Sequence, residues 1–201
     1  MAKISTTEEK VIRAAEILFA EKGYHGTSIR DIADHENLNV SVINYYFTSK
    51  ENLLLYILSK IKLMTEKKLK KINLKHNAKE KLSSFIDLTS EYIISDERFV
   101  KILMQEALFN VSNSSRKIFL EIVQLHKQAF IAIILEGKKN GQFLYEERPE
   151  HLYHFVMGTL HHLLTFSILE KNKSKKLHYR INEITEQLSK WLKVTSAELG
   201  E

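Results

Sequence analysis

The sequence contains no cysteine, one proline (Pro149) and six glycines in 201 residues. Without cysteine there is no disulfide framework, no thiolate metal site and no cysteine nucleophile, which fits a reducing compartment. So few backbone breakers favour long helices over a β fold with many turns. Long apolar runs are also missing. The longest uninterrupted one spans Ala129 to Leu135, far short of the roughly 20 residues a membrane span needs. The N-terminal MAKISTTEEK has no apolar signal core. These absences predict a cytoplasmic protein with no membrane association. A glycine-rich phosphate loop, a nucleophile elbow and a metal-binding motif are absent too. No catalytic residue, cofactor or metal is therefore expected, and an enzyme is the least supported class.

What is present suits a helical globule. Apolar residues make up 44% and charged residues 27%, enough for both a core and solubility. The net charge of +5 mildly favours an anionic partner. Its distribution does not point to the N-terminus. Residues 1–51 carry six basic side chains (Lys3, Lys10, Arg13, Lys22, Arg30, Lys50) against eight acidic ones (Glu8, Glu9, Glu16, Glu21, Asp31, Asp34, Glu36, Glu51). Placement, not bulk charge, has to carry any argument for a polyanion there.

The hydrophobic pattern predicts a helix over 6–22, with Val11, Ala14, Ala15, Leu18 and Phe19 on one stripe and Gly23 as its stop. Thr27 or Ser28 can cap a second helix, and Ser28 with Asp31 resembles a capping box. Ile29, Ile32 and Ala33 form that helix's buried face. A turn at Asn37-Leu38-Asn39 precedes a short third helix, capped by Asn39 and ending at Tyr46 or Phe47. Thr48 or Ser49 caps a fourth. Further helices are expected near 79–94, 97–110, 115–139, 149–170 and 177–194, about nine in all.

The second and third helices make a helix-turn-helix, whose second helix enters the DNA major groove. On a helical wheel Ile43 and Phe47 point one way and dock with Leu38. Ser41 and Tyr45 point the other way with Val42 nearby, and Val40 and Asn44 flank them.

The stretch Val11–Leu54 resembles the DNA-binding domain of the TetR family of transcriptional regulators. The resemblance is carried in order by Ala14-Ala15, Leu18-Phe19, Gly23-Tyr24, Gly26-Thr27-Ser28-Ile29, Ile32-Ala33, Tyr45-Tyr46-Phe47, Ser49-Lys50-Glu51 and Leu53. Beyond Leu54 it is one of architecture, except that Glu136-Gly137 to Phe143 is similar to a segment many members carry. It implies a helix-turn-helix domain over 1–50 and a larger helical ligand-binding and dimerisation domain over 51–201. It also implies DNA contacts. Thr27, Ser28 and Ile29 open a helix facing a phosphate, and Arg30 can reach a guanine edge. Val40, Ser41 and Val42 lie at the groove, while Asn44, Tyr45, Tyr46 and Lys50 serve phosphates. Many members have glycine in place of Ser41 and tyrosine in place of Asn44, which puts those two contacts in question. Plainer roles stand beside these. Tyr45 and Tyr46 can fill a helix interface, Arg30 can pair with Asp34, and Lys50 can be solvated.

The implied partners are a near-palindromic double-stranded DNA operator, a small-molecule effector and a second copy of the chain. The dimer would use the last two helices. Its stripes are Leu152, Phe155, Val156, Thr159, Leu160 and Leu163 on one, and Ile181, Ile184, Leu188, Trp191 and Leu192 on the other. Both stripes can equally face their own core. Phe85, Leu103, Met104, Phe109, Phe119, Ile122, Phe130 and Phe166 are candidates for the wall of an apolar ligand pocket, and ordinary core is the plainer reading of most of them. His151, His154 and His161 share a helix face, with no carboxylate at matching spacing. They read as pocket lining or interface before metal. The lysines from Lys60 to Lys81 read as a solvated face. A regulator released from DNA by a hydrophobic ligand is the leading expectation. A helical protein-interaction adaptor is the alternative, and it leaves the match over 11–54 unexplained.

Overall fold

The structure is a computed structural model. It describes residues 6–95, 97–144 and 148–169, together with Glu186, Leu188, Lys190 and Leu192, but not the side chains of 92–95 and 163–169. Among the described residues there are eight helices and no strand, the all-α architecture the sequence predicts. They are α1 (Thr6–Lys22), α2 (Ile29–His35), α3 (Val40–Phe47), α4 (Lys50–Asn73), α5 (Ala78–Ser95), α6 (Glu97–Phe109), α7 (Asn113–Lys139) and α8 (Pro149–Leu169). Most of the expected ninth helix near 177–194 lies outside the described residues.

The chain forms two compact units. The first gathers Met1–Thr65 with Asp96–Val123, and the second gathers Glu66–Ser95 with Gln124–Glu201. This spatial grouping differs from a division after residue 50, and the reason is in the packing. Leu53, Leu54, Ile57, Leu58 and Ile61 of α4 complete the core begun by Val11, Phe19, Ile32 and Ile43. Phe99 and Ile102 join the same core as α6 packs against α1. A three-helix segment of fifty residues buries too little surface to close by itself.

Local chemistry sets the helix ends of the first unit. Gly23 ends α1 at φ 77°, a conformation glycine adopts without a Cβ clash, and its amide returns to Phe19 O at 3.1 Å. Asn37, at φ 53°, turns the chain between α2 and α3. Asn39 caps α3 by accepting from the Ser41 amide at 3.1 Å, and Ser49 caps α4 by accepting from the Asn52 amide at 3.1 Å. Thr48 joins α3 to α4 at φ 64°, with the Ser49 amide reaching back to Phe47 O at 2.6 Å. That is a three-residue γ-turn, a strained geometry for a β-branched residue.

Polar groups buried in this unit are paired. Glu16 receives Lys60 Nζ at 2.8 Å. Glu106 accepts from Ser115 Oγ at 2.7 Å.

In the second unit, Phe85, Ile86, Phe130, Ile133, Ile134, Phe143, Leu152, Val156 and Leu160 are buried. Gly137 lets the segment after α7 fold back. The Gln142 and Phe143 amides both donate to Gly137 O, at 2.8 and 3.1 Å. A Cβ at Gly137 would sit 2.0 Å from the Phe143 ring. This contact explains the spacing from Glu136-Gly137 to Phe143.

Two sequence expectations need correcting. By length and composition α7 is apolar enough to cross a membrane, against the expectation that no segment is. Its polar residues have work within the protein: Glu121 binds Lys62 Nζ at 2.9 Å, and His126 lies against Phe85. The lysine-rich stretch is also less free than a solvated face. Lys60, Lys62, Lys68 and Lys81 pair with Glu16, Glu121, Glu91 and Glu136.

Candidate nucleic-acid interface

On α3, Ile43 and Phe47 are buried in the core of the first unit, with Leu38 packed against it. About half a turn away, on the opposite face, Tyr45 is 82% exposed, and Ser41 and Asn44 are exposed beside it. Val42 is half-buried. Val40 and Tyr46 are partly buried and pack on the core, so they offer the outside only an edge. The Tyr45 and Tyr46 rings meet edge to face at 5.2 Å, which stiffens the outer tyrosine. The face left outward is small and hydrogen-bonding, the composition that a base-edge contact requires.

The start of α2 is more committed than the sequence suggests. Ser28 caps the helix by accepting from the Asp31 amide at 3.1 Å, while Asp31 Oδ2 accepts from the Ser28 amide at 2.7 Å and from its hydroxyl at 2.6 Å. The hydrogen bonds from Ser28 hold the Asp31 carboxyl below its usual range. A protein carboxylate therefore already occupies part of the helix end. The Ile29 and Arg30 amides of the first turn are the donors that remain for a phosphate. The Arg30 side chain is exposed, and the Ile29 side chain packs inward.

Thr27 and Lys50 turn inward. Thr27 is buried, and its hydroxyl lies 2.9 Å from Gly23 O and 3.2 Å from Leu18 O. Lys50 Nζ donates to Tyr24 O at 2.8 Å and Thr27 O at 2.7 Å, and it sits 4.1 Å from the centre of the Tyr24 ring. Partial burial lowers the Lys50 pKa. The ammonium thus fastens the α1–α2 turn to the start of α4, and one of its three protons remains for an outside acceptor. Carbonyl partners more than twenty residues away leave no local sequence signal.

The candidate pocket residues are divided between the two units. Phe85 and Phe130 meet in the second unit with ring centres 5.4 Å apart. Ile122 is buried in the core of the first unit and Leu103 packs against it. Met104 and Phe119 are half-buried, and Phe109 is 66% exposed. The side chain of Phe166 lies outside the described residues. Sequence reading passed over His126, which is buried beside Phe85 and bonded to Thr89 at 3.1 Å. The signal was present: a histidine stands where the apolar stripe Ile122–Phe130 calls for hydrocarbon.

These features together define a helix-turn-helix protein that presents a short reading helix. The family signature described as "Bacterial regulatory proteins, tetR family" matches residues 11–57. Residues 11–57 thus carry the DNA-binding signature of that family, and the chain is a DNA-binding transcriptional regulator. It is 29% identical over 156 residues to the "Probable HTH-type transcriptional regulator YttP" of Bacillus subtilis, covering 76% of this chain and 72% of that one. Among solved structures it resembles the ketosteroid transcriptional regulator KstR2 of Mycobacterium tuberculosis, with TM-score 0.79 and 18% identity over 95% of each chain. It also resembles FadR of Bacillus subtilis in complex with stearoyl-CoA, with TM-score 0.74 and 24% identity over 91% of this chain and 98% of that one.

Proposed function

We propose that the chain is a cytoplasmic, homodimeric repressor, without catalytic activity, that leaves its operator when a small molecule binds. The observation that carries the DNA-reading half is the division of α3, with Ile43 and Phe47 buried and Tyr45 82% exposed. In this reading Arg30, Ser41, Val42, Asn44 and Tyr45 make the outer contacts, with edges from Val40 and Tyr46. The Ile29 amide and the end of α2 capped by Ser28 meet a phosphate. Thr27 and Lys50 hold the turn that aims them. Gel-shift titration against the DNA upstream of its own gene tests this. Arg30→Ala should weaken operator binding by about 1–3 kcal/mol and relax one base position. Unchanged affinity and unchanged base preference would remove Arg30 from the interface.

A twofold dimer would set two reading helices about 34–36 Å apart, or a multiple of that. On α8, Leu152, Val156 and Leu160 are buried in the protomer, while His151, His154, Phe155 and Gly158 face outward. The outer face supports a partner helix, since Gly158 has open space where a Cβ would stand. Phe155→Glu should convert a dimer to monomers in sedimentation. A wild-type chain that sediments as a monomer at micromolar concentration would end the dimer reading. Ligand release is supported by the similar fold that holds stearoyl-CoA. A coupling of about 1–3 kcal/mol between ligand and DNA is the expected size.

A further inference from the structure

Among the described residues, the buried side-chain atoms without a hydrogen-bond partner are Ser90 Oγ and His126 Nδ1. Both belong to the second unit. The surroundings of His126 are aromatic. The Phe85 ring centre is 4.3 Å from the imidazole and that of Tyr153 is 6.3 Å away. Phe130 closes the group at 5.4 Å from Phe85 and 5.7 Å from Tyr153.

One neighbour fixes the tautomer. Thr89 Oγ1 lies 2.9 Å from Phe85 O and 3.1 Å from His126 Nε2. A hydroxyl has a single proton, and a carbonyl only accepts. The Thr89 proton therefore goes to Phe85 O, and Thr89 Oγ1 accepts from Nε2–H. Burial, with His161 adding to it, lowers the His126 pKa to about 4, so the ring is neutral near pH 7. Nδ1 is then a buried lone pair without a partner, on a ring packed against aromatic neighbours. A buried acceptor with no donor is unfavourable, and it invites a group that supplies one.

We propose that His126 Nδ1 is the polar anchor of an internal ligand site, and that the ligand is an uncharged molecule presenting an O–H or N–H donor on an aromatic or otherwise apolar body. The inference rests on the reading of the chain as a ligand-responsive regulator and names the ligand's chemistry. A carboxylate brings no proton and would face a lone pair. Among the described residues, the groups around it (Phe85, Thr89, Tyr153 and His161) include no fixed cation to offset the charge. A quaternary ammonium suits the rings but leaves Nδ1 unsatisfied.

The test uses the full chain and matched probes. Phenol and indole carry the donor, anisole and N-methylindole lack it, and benzoate and benzyltrimethylammonium carry opposite charges. Calorimetry should show phenol or indole binding at least about tenfold more tightly than its methylated counterpart. In protein labelled with ¹⁵N-histidine, the Nδ1 signal of His126 should move toward its hydrogen-bonded position on binding. His126→Phe should erase the contrast between donor and methylated probes, and the wild-type ¹⁵N signal decides the matter if that variant does not fold. Equal binding of methylated probes, tighter binding of either charged probe, or no binding of any donor probe would overturn the proposal. So would an Nδ1 signal already at its hydrogen-bonded position and unmoved by the probes, which would assign a structural water. None of these readouts involves DNA. A lost operator complex with the contrast intact sinks the regulator reading alone, and a missing contrast with intact operator binding sinks this inference alone.

Discussion

The two units treat buried polarity differently. In the first, the buried Glu16, Thr27 and Glu106 each have partners within reach. Among its described residues no buried side-chain polar atom lacks a partner, and Arg30, Ser41, Asn44 and Tyr45 are on the outside. In the second, Ser90 Oγ and His126 Nδ1 are enclosed without partners. A unit that works by presenting a surface gains from a finished core. A unit that works by taking something in leaves its core unfinished, since each unmet acceptor is offset only when the guest arrives.

The most damaging change to this contrast falls in the finished core. Phe47→Ala removes the ring that seats the end of α3, where Phe47 also meets Tyr56 at 5.6 Å. It should destabilise the protein by about 3–5 kcal/mol and abolish operator binding. Urea unfolding and gel shift measure the two effects. A variant that stays within about 0.5 kcal/mol of wild type, the scatter of surface substitutions, would mean that Phe47 does not anchor the reading helix.

Acid probes the unfinished core. His126 titrates at about 4 in the folded protein against 6.5 in a free histidine. Between those values the unfolded chain takes up a proton that the folded chain refuses. Stability from this source is complete above about pH 6.5 and falls as pH drops toward 4, by about 3 kcal/mol in total. The lowered pKa of His161 acts in the same direction, and the raised pKa of Tyr153, about 12, matters only in alkali. Urea midpoints at pH 7.5 and pH 5 should therefore differ more for wild type than for His126→Phe. An equal loss in both proteins would place the acid sensitivity elsewhere.

What the sequence disclosed follows the reach of each interaction. The caps Ser28, Asn39 and Ser49 and the stop at Gly23 bond within four residues, so spacing alone exposes them. The inward pair Ile43 and Phe47 is fixed by helical period. Grouping in space is another matter. Period showed that Leu103, Ile122 and Phe130 each lie on an apolar face, but it could not assign the first two to one unit and the third to the other. Partners far along the chain stayed hidden for the same reason, whether Lys60 for Glu16 or Thr89 for His126.

Lys50 sharpens the comparison most finely, because it belongs to the surface yet behaves like a buried group. Its family position suggests a phosphate contact, and its geometry spends two protons on Tyr24 O and Thr27 O. Lys50→Met keeps the length of the stem and removes the ammonium. Loss of the two carbonyl bonds should lower stability by about 1–3 kcal/mol, since hydrogen bonds to a charged group are worth about 1.5–3 kcal/mol and partial exposure reduces that. Operator affinity should fall with it, because the start of α2 loses its tie to α4. The salt dependence separates the roles. A lysine that neutralises a phosphate contributes about one unit to the slope of log affinity against log salt. A lysine that only holds the turn contributes nothing to that slope, so the variant's line should run parallel to wild type and below it. A slope shallower by one unit, with unfolding unchanged, would return Lys50 to the DNA and leave the turn held by Thr27 alone.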